Sequence, residues 1–322
     1  MDVSTWPAGV SPVDRCGQRP TPFDLADDAT YRQWREWKIA HRPRTVDDLL
    51  VEIGDPRALR PVERDALLQR IARAGAAVYR GRVASEDPAL PVALATQLGL
   101  HELDANWLAD EDGVSRIAVG GASDDGEDRA GFIPYTDRAI RWHTDGYYHP
   151  EERRIQGMLL HCVRPAASGG ENRLLDPELA YIALRDASPA WIQALMHPRA
   201  MVIPARLEGE RVARAAQAGP VFSVTAAGRL HMRYTARTRS IEWRDDAHTQ
   251  AAVAALVRWL DDGLPGIVSL RLAPGMGIVG HNVLHERRSF VDDPARPRLL
   301  YRARFRDRIC APCEDAWRQS AP

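Results

Sequence analysis

Short apolar segments, each closed off by glycine, proline or a polar turn, recur through the second half of this chain and leave little room for anything but strands. RIQGMLLHCV (154–163), AMVIPA, GPVFSV, RLHMRY, GIVSLRL, MGIVGH and RLLYRARF are all of this kind. Each is too short for an independent helix, and β-branched or aromatic residues recur within them. AAVYRG, nearer the start, reads the same way. Longer stretches carry the helical period instead. DDATYRQWREWKIAH has Asp27 or Asp28 at its start, and PVERDALLQRIARAG puts Pro61 in its first turn with Leu67, Leu68 and Ile71 on one face. PALPVALATQLGL predicts a third helix. Asp176-Pro177 and Ser188-Pro189 each combine an N-cap residue with proline at the first helical position, opening DPELAYIALRDA and SPAWIQALM. HTQAAVAALVRWLDDG sets Val253, Leu256, Val257 and Leu260 on one face and ends at Gly263. These signals predict a mainly β protein, a sandwich or barrel with helical additions. Residues 1–25 are expected to form an irregular arm. Residues 26–322 are expected to form a single domain with N-terminal helices and a helical insertion at about 176–262.

Composition narrows the partners. The 322 residues are 45% hydrophobic and 27% charged, with a net charge of −1. That balance offers no basic footprint for nucleic acid or an anionic membrane surface. No apolar run reaches the roughly 20 residues that span a bilayer. The first twenty residues lack a basic start followed by an apolar stretch, which predicts a cytoplasmic protein. Cys16, Cys162, Cys310 and Cys313 are too sparse for a disulfide framework. Cys162 lies in an apolar run and is expected in the core. Cys310 and Cys313 have CxxC spacing without a second ligand pair, and no role is assigned to them. DDGEDRAG (124–131) reads as a loop.

Chemistry concentrates in Arg141-Trp142-His143-Thr144-Asp145-Gly146. In an extended segment residues i and i+2 share a face, so His143 and Asp145 can reach one metal ion together. One imidazole and one carboxylate are two thirds of the facial triad that leaves positions open on Fe(II) for a cosubstrate and O2. Trp142, just before His143, is expected in the core. A third ligand must come from elsewhere, and VGHNVLHER offers His281 and His285, which share parity. Further on, Arg298, Arg302 and Arg304 share strand parity in RPRLLYRARF. Either they form a solvated face, or one anchors a carboxylate through paired charge-assisted hydrogen bonds.

The HTD at 143–145, the distal LHxRxxF (Leu284, His285, Arg287, Phe290) and RLLYR together resemble the TauD/TfdA superfamily of Fe(II)- and 2-oxoglutarate-dependent oxygenases. γ-Butyrobetaine hydroxylase and clavaminate synthase are among its relatives. The resemblance covers roughly residues 75–308. It implies a double-stranded β-helix (jelly roll) core and maps the metal ligands onto His143, Asp145 and His285 rather than His281. It implies a salt bridge from Arg298 to the 2-oxoglutarate C5 carboxylate. Asn172, in Gly169-Gly170-Glu171-Asn172, stands where relatives often have a threonine that contacts the cosubstrate. Arg302 falls where relatives bind an acidic substrate group or support the cosubstrate. The implied activity is hydroxylation of an unactivated C–H bond in a small polar or anionic molecule, with release of succinate and CO2. Related halogenases lack the carboxylate held here by Asp145, which points to hydroxylation, desaturation or oxidative cleavage. Tyr147 and Tyr148, next to the HTD, and Arg233 and Tyr234, in a donor-rich stretch, are candidate substrate contacts. Relatives are often dimers or tetramers, and the sequence leaves a homo-oligomer open. The alternative is a non-catalytic or other-metal jelly roll of the cupin kind, which has no need of a carboxylate anchor at Arg298.

Overall fold

Two sheets frame the protein in a computed structural model, which describes residues 21–83, 85–104, 112–120, 132–208, 211–237, 241–311 and 314–319. The larger sheet has six strands in the order β1 (Leu50–Ile53), β2 (Ala76–Gly81), β8 (Met276–His281), β5 (Gly157–Arg164), β10 (Leu299–Phe305) and β3 (Ser115–Ile117). The smaller has four, β7 (Val268–Leu270), β6 (Asn172–Leu175), β9 (Leu284–Arg287) and β4 (Ile140–His143). Only β1–β2 is parallel among these pairs. This is a jelly roll with helical additions, as the resemblance implied. Most of the N-terminal arm, the 124–131 loop and Cys313 lie outside the described residues.

The alternation of each strand divides its side chains between two cores. Met158 and Cys162 of β5, Leu174 of β6, Ile278 of β8 and Leu300 of β10 meet between the sheets. Leu159, Val279, Ala303 and Phe305 point out of the large sheet. They are covered by α2 (Pro61–Ala74) and α3 (Leu90–Gln97), through residues including Leu67, Leu68, Ile71 and Leu94. β8 is buried along its whole length, and its backbone runs tight against its neighbours. A Cβ on Gly280 would lie 2.4 Å from the carbonyl oxygen of Gly75.

A third core covers the far side of the small sheet. Leu175 and Leu284 pack there with α1 (Asp28–Ala40), α4 (Pro177–Ala187), α5 (Pro189–Leu195) and α6 (Ala247–Asp262). Capping residues start these helices: Asp27 accepts from the Thr30 N–H, Asp176 from Glu178 and Asp246 from Thr249. Ser188, expected to cap α5, makes no side-chain cap bond, because its backbone also closes α4, from which it is separated by no linker. The buried stripe of α6 runs through Thr249, Ala252, Leu256 and Leu260, with Val253 and Val257 at its flanks rather than its centre. Small residues there let α6 sit close to α5. Between α5 and α6 the chain adds short ladders, among them the hairpin Arg206–Glu208/Arg211–Arg214 and the pair Phe222–Val224/Leu230–Met232. Among the described residues, no helix is long and apolar enough to cross a membrane.

Candidate metal and cosubstrate site

β4 and β9 are neighbours, and their register sets His143 directly opposite His285. The ladder then slips, with Arg287 opposite Ile140, so an irregularity follows the histidine pair. The two imidazole rings lie 4.2 Å apart between centroids. Asp145 follows at the end of β4, where Gly146 turns the chain at φ +66. A ligand atom from each of His143, Asp145 and His285 lies within 4.8 Å of the others. His281 is elsewhere: its Nε2 is 3.1 Å from Glu314 Oε1 and 3.2 Å from the Ile309 carbonyl.

Hydrogen bonds fix which nitrogen each histidine offers. His143 Nδ1 is 2.9 Å from the Arg141 carbonyl, and His285 Nδ1 is 2.9 Å from the Val283 carbonyl. A carbonyl only accepts, so Nδ1 carries the proton and Nε2 keeps its lone pair for a metal. Burial, then the neighbouring His285, pushes His143 down to about 3, so it stays neutral. Burial alone would raise the Asp145 carboxyl, but Arg302, then Arg304 and the two histidines, hold it well below the usual range. A neutral His143 and an ionised Asp145 are the protonation states that metal ligation requires of them. Asp145 Oδ2 is buried without a hydrogen-bond partner, and such an atom is costly unless a cation takes it up. The donor set therefore fits a divalent ion of the iron type.

Asn282 holds this carboxylate in place, and no motif in the sequence singles it out. Its Oδ1 accepts from the Asp145 N–H at 2.8 Å, and its Nδ2 donates to the carbonyls of Asp145 (2.8 Å) and Ile155 (2.9 Å). A cavity of about 610 Å³ lies on the other side of Asn282, toward α1 and the C-terminal turn. Its charged side chains, Lys38 with Asp176 and Glu178, and Glu314 with His281 and Arg229, pair with one another.

β10 and the residue just before it send three arginines inward. Arg298 is 4% exposed, with its guanidinium 4.9 Å from the Phe290 ring centroid, and it bonds no protein acceptor among the described residues. Burial pulls it down to about 10, still charged at neutral pH. Asp292 accepts from the Arg298 backbone N–H at 2.8 Å and favours its charge, but no described carboxylate bonds the guanidinium, which leaves its donors for the carboxylate of a dicarboxylate cosubstrate. Asn172, also buried, has a side-chain amide with no hydrogen bond to another described residue. Arg302 instead leans on the metal carboxylate, with Nη1 at 3.5 Å from Asp145 Oδ1. Arg304 pairs with Asp104 at 2.7 Å and donates to the Tyr148 hydroxyl at 3.1 Å. Arg287 of the LHxRxxF motif donates to the carbonyls of Pro134, Thr136 and Arg138, tying β9 to the preceding loop.

The substrate candidates divide. Tyr147 stands beside the metal cluster, its ring 6.4 Å from that of His143, and Tyr148 packs edge-on against it at 5.2 Å. Arg233 is spent on backbone carbonyls: those of Tyr147 (2.7 Å), Met201 (3.0 Å) and Gln217 (2.8 Å). It positions Tyr147 rather than facing outward. Tyr234 is fully buried, and its backbone bonds Thr144. Arg233 also lines a small pocket with Asp145 and Tyr147, whereas Tyr234 lies in the core.

A family model described as Taurine catabolism dioxygenase TauD, TfdA family matches residues 41–304. The chain belongs to this family. It is a dioxygenase. A uridine-5′-phosphate dioxygenase from Streptomyces is 32% identical over 201 residues, 60% of this chain and 69% of that protein. One of the same name from Amycolatopsis is 31% identical over 169 residues, 51% of this chain and 60% of its own length. Among solved structures, an asparagine oxygenase in complex with Fe(II), 3-hydroxyasparagine and succinate is similar over 90% of this chain and 86% of its own, with TM-score 0.55 and 20% identity. The non-heme iron oxygenase OrfP, with Fe and α-ketoglutaric acid, matches over 76% and 80%, with TM-score 0.54 and 19% identity. At these identities the structural likeness speaks for the jelly-roll fold.

Proposed function

We propose that this TauD/TfdA dioxygenase holds iron(II) with His143, Asp145 and His285, binds 2-oxoglutarate through Arg298 and Asn172, and hydroxylates a nucleoside 5′-phosphate. The observation that carries the reading is the convergence of three ligand groups, two of them oriented by their own strands. Both imidazoles donate Nδ1–H to their own strand, and Nε2 of each converges with an ionised carboxylate whose Oδ2 has no protein partner. With iron(II) and 2-oxoglutarate bound, such a site supplies oxidative decarboxylation of the keto acid to succinate and CO2, coupled to oxidation of a C–H bond by O2.

The chain's own residues provide the setting. Asn282 and Gly146 hold the Asp145 carboxylate at its angle. Arg302 offsets the negative charge of Asp145 and keeps a proton off it. Arg298 fixes the far end of the cosubstrate, and Asn172, on β6 of the facing sheet, offers a buried amide. The buried side chains of the facing sheets exclude water from the reacting groups. The retained carboxylate at 145 supports hydroxylation over halogenation. The nucleotide reading is supported by the uridine-5′-phosphate dioxygenases, the curated relatives matched at about one third identity. We place the enzyme in the cytoplasm, acting as a single domain on a small molecule.

The test is succinate formation from 2-oxoglutarate with Fe(II), with uridine-5′-phosphate, amino acids and sulfonates compared as partners. Succinate released in step with nucleotide consumption is expected. Absence of both 2-oxoglutarate binding and succinate under every condition would return the chain to the non-catalytic alternative. Coupling to an amino acid in place of the nucleotide would move the substrate class alone.

A further inference from the structure

Beyond the tyrosines at the metal cluster lie Arg214 and Arg237, which pair with no carboxylate among the described residues. Arg237 donates Nη1–H to the Tyr147 hydroxyl at 3.2 Å. It lies two residues past Thr235, whose backbone bridges His143, so it shares that residue's strand parity beside the cluster. Arg214, from the hairpin Arg206–Glu208/Arg211–Arg214, holds its guanidinium 5.6 Å from the Tyr148 ring centroid. One of its nitrogens donates to the Pro204 carbonyl at 2.8 Å, and its Nε is buried without a partner. Neither Arg214 nor Arg237 is paired with a carboxylate among the described residues. Burial, and the nearby charges of Arg206 and Arg237, lower Arg214 against the opposing pull of the two tyrosines. Half-buried Arg214 thus feels the repulsion of exposed Arg237, an arrangement that an anion relieves.

The metal end of the site already has its own counter-charges. Arg302 is taken by Asp145, Arg304 by Asp104, and Arg233 by backbone carbonyls. A substrate anion therefore finds its free guanidinium groups on the other side of Tyr147 and Tyr148. We propose that Arg214 and Arg237, with the Tyr147 hydroxyl between Arg237 and the metal ligands, form the seat for the phosphate of the substrate. This rests on the dioxygenase reading above and names the part of the site that selects a phosphate monoester. Two guanidinium groups and a phenol match the several acceptor oxygens of a phosphate, and bidentate arginine contacts are strong and directional.

The experiment is anaerobic titration of the iron(II)- and 2-oxoglutarate-loaded protein with uridine-5′-phosphate and with uridine. The nucleotide is expected to bind at least about tenfold more tightly than the nucleoside, given the strength of hydrogen bonds to charged groups. Arg214→Gln and Arg237→Gln are each expected to weaken the nucleotide roughly tenfold and leave uridine unmoved. The double variant should bind both ligands alike, and Arg237→Lys should recover part of the preference. Equal affinity for the two ligands in the native protein, or variants that keep the preference, overturns the seat. Equal loss of both ligands in the variants also overturns it, since that marks a structural role. A different phosphate monoester that binds with the same dependence on both arginines keeps the seat and displaces only the uridine reading. Failure to load 2-oxoglutarate counts instead against the oxygenase reading.

Discussion

Three side chains decide whether this site works, and each can be tested alone. Asp145→Ala removes a ligand and the only carboxylate of the cluster. It is expected to abolish iron(II) binding in anaerobic equilibrium dialysis, together with succinate formation. Asn282→Ala leaves all three ligands in place but releases the backbone on either side of Asp145. Iron affinity should fall by about ten- to a hundredfold, the range for residues that orient metal ligands. An unchanged iron affinity would show that the strand end needs no such clamp. Arg298→Ala leaves the metal ligands untouched and removes the buried cation. The apparent KM for 2-oxoglutarate should rise by roughly ten- to a hundredfold, from about 1.5–3 kcal/mol for hydrogen bonds to a charged group. If the dependence on 2-oxoglutarate does not move, the anchor belongs to Arg302 or Arg304.

At the scale of elements, β8 is the strand with least room. A Cβ at Gly280 meets the Gly75 carbonyl and the Ala76 backbone, neither of which can step aside. Gly280→Ala is expected to lower the unfolding free energy by about 1–3 kcal/mol, read from the denaturant midpoint. β8 was legible in the sequence because its first five residues are an unbroken apolar run. β2 and β5 carry similar runs, β10 opens on Leu299–Tyr301, and α2 has its proline start and glycine stop. β4, β6 and β9 were harder to read as strands, because half or more of their four residues are polar or charged. Arg173 of β6 pairs with Glu286 of β9, and Asn172 lies beside it, so polarity there reflects chemistry and cross-strand pairing rather than exposure. His143, Asp145 and Arg298 could be picked out by motif. Asn282 and Asp104 could not, since their importance comes from chain segments that meet them only in the fold. Arg233 looked like a substrate contact by composition, yet its donors are consumed by three carbonyls.

For the whole molecule, the C-terminal turn is tied to the large sheet by a charge that responds to acid. Burial alone would raise the Glu314 carboxyl, but His281, Arg308 and Arg229 bring it down to about 2. A carboxyl depressed in the folded state stabilises above its unfolded value of about 4.3 and loses that contribution as pH falls toward 2. His281, lowered mainly by burial, adds to the loss in the same direction, because the unfolded chain takes up its proton first. Unfolding free energy is expected to drop on the order of 3 kcal/mol across that acid window. Glu314→Gln should flatten the decline in denaturation curves taken between pH 5 and about 2.5, and an equally steep decline in that variant would assign the acid response to other carboxylates.

The pairing of β6 with β7 in the small sheet has a further consequence. The chain from α4 to α6, with the arginine hairpin, leaves after Leu175 and returns at Val268, which lies opposite Leu174. His143, Asp145 and His285 all stand outside that excursion, so its outer ladders can be lengthened or trimmed while the ligands stay on their own strands. The part of the molecule that grips the oxidant and the part that chooses what is oxidised are thus free to change at different rates.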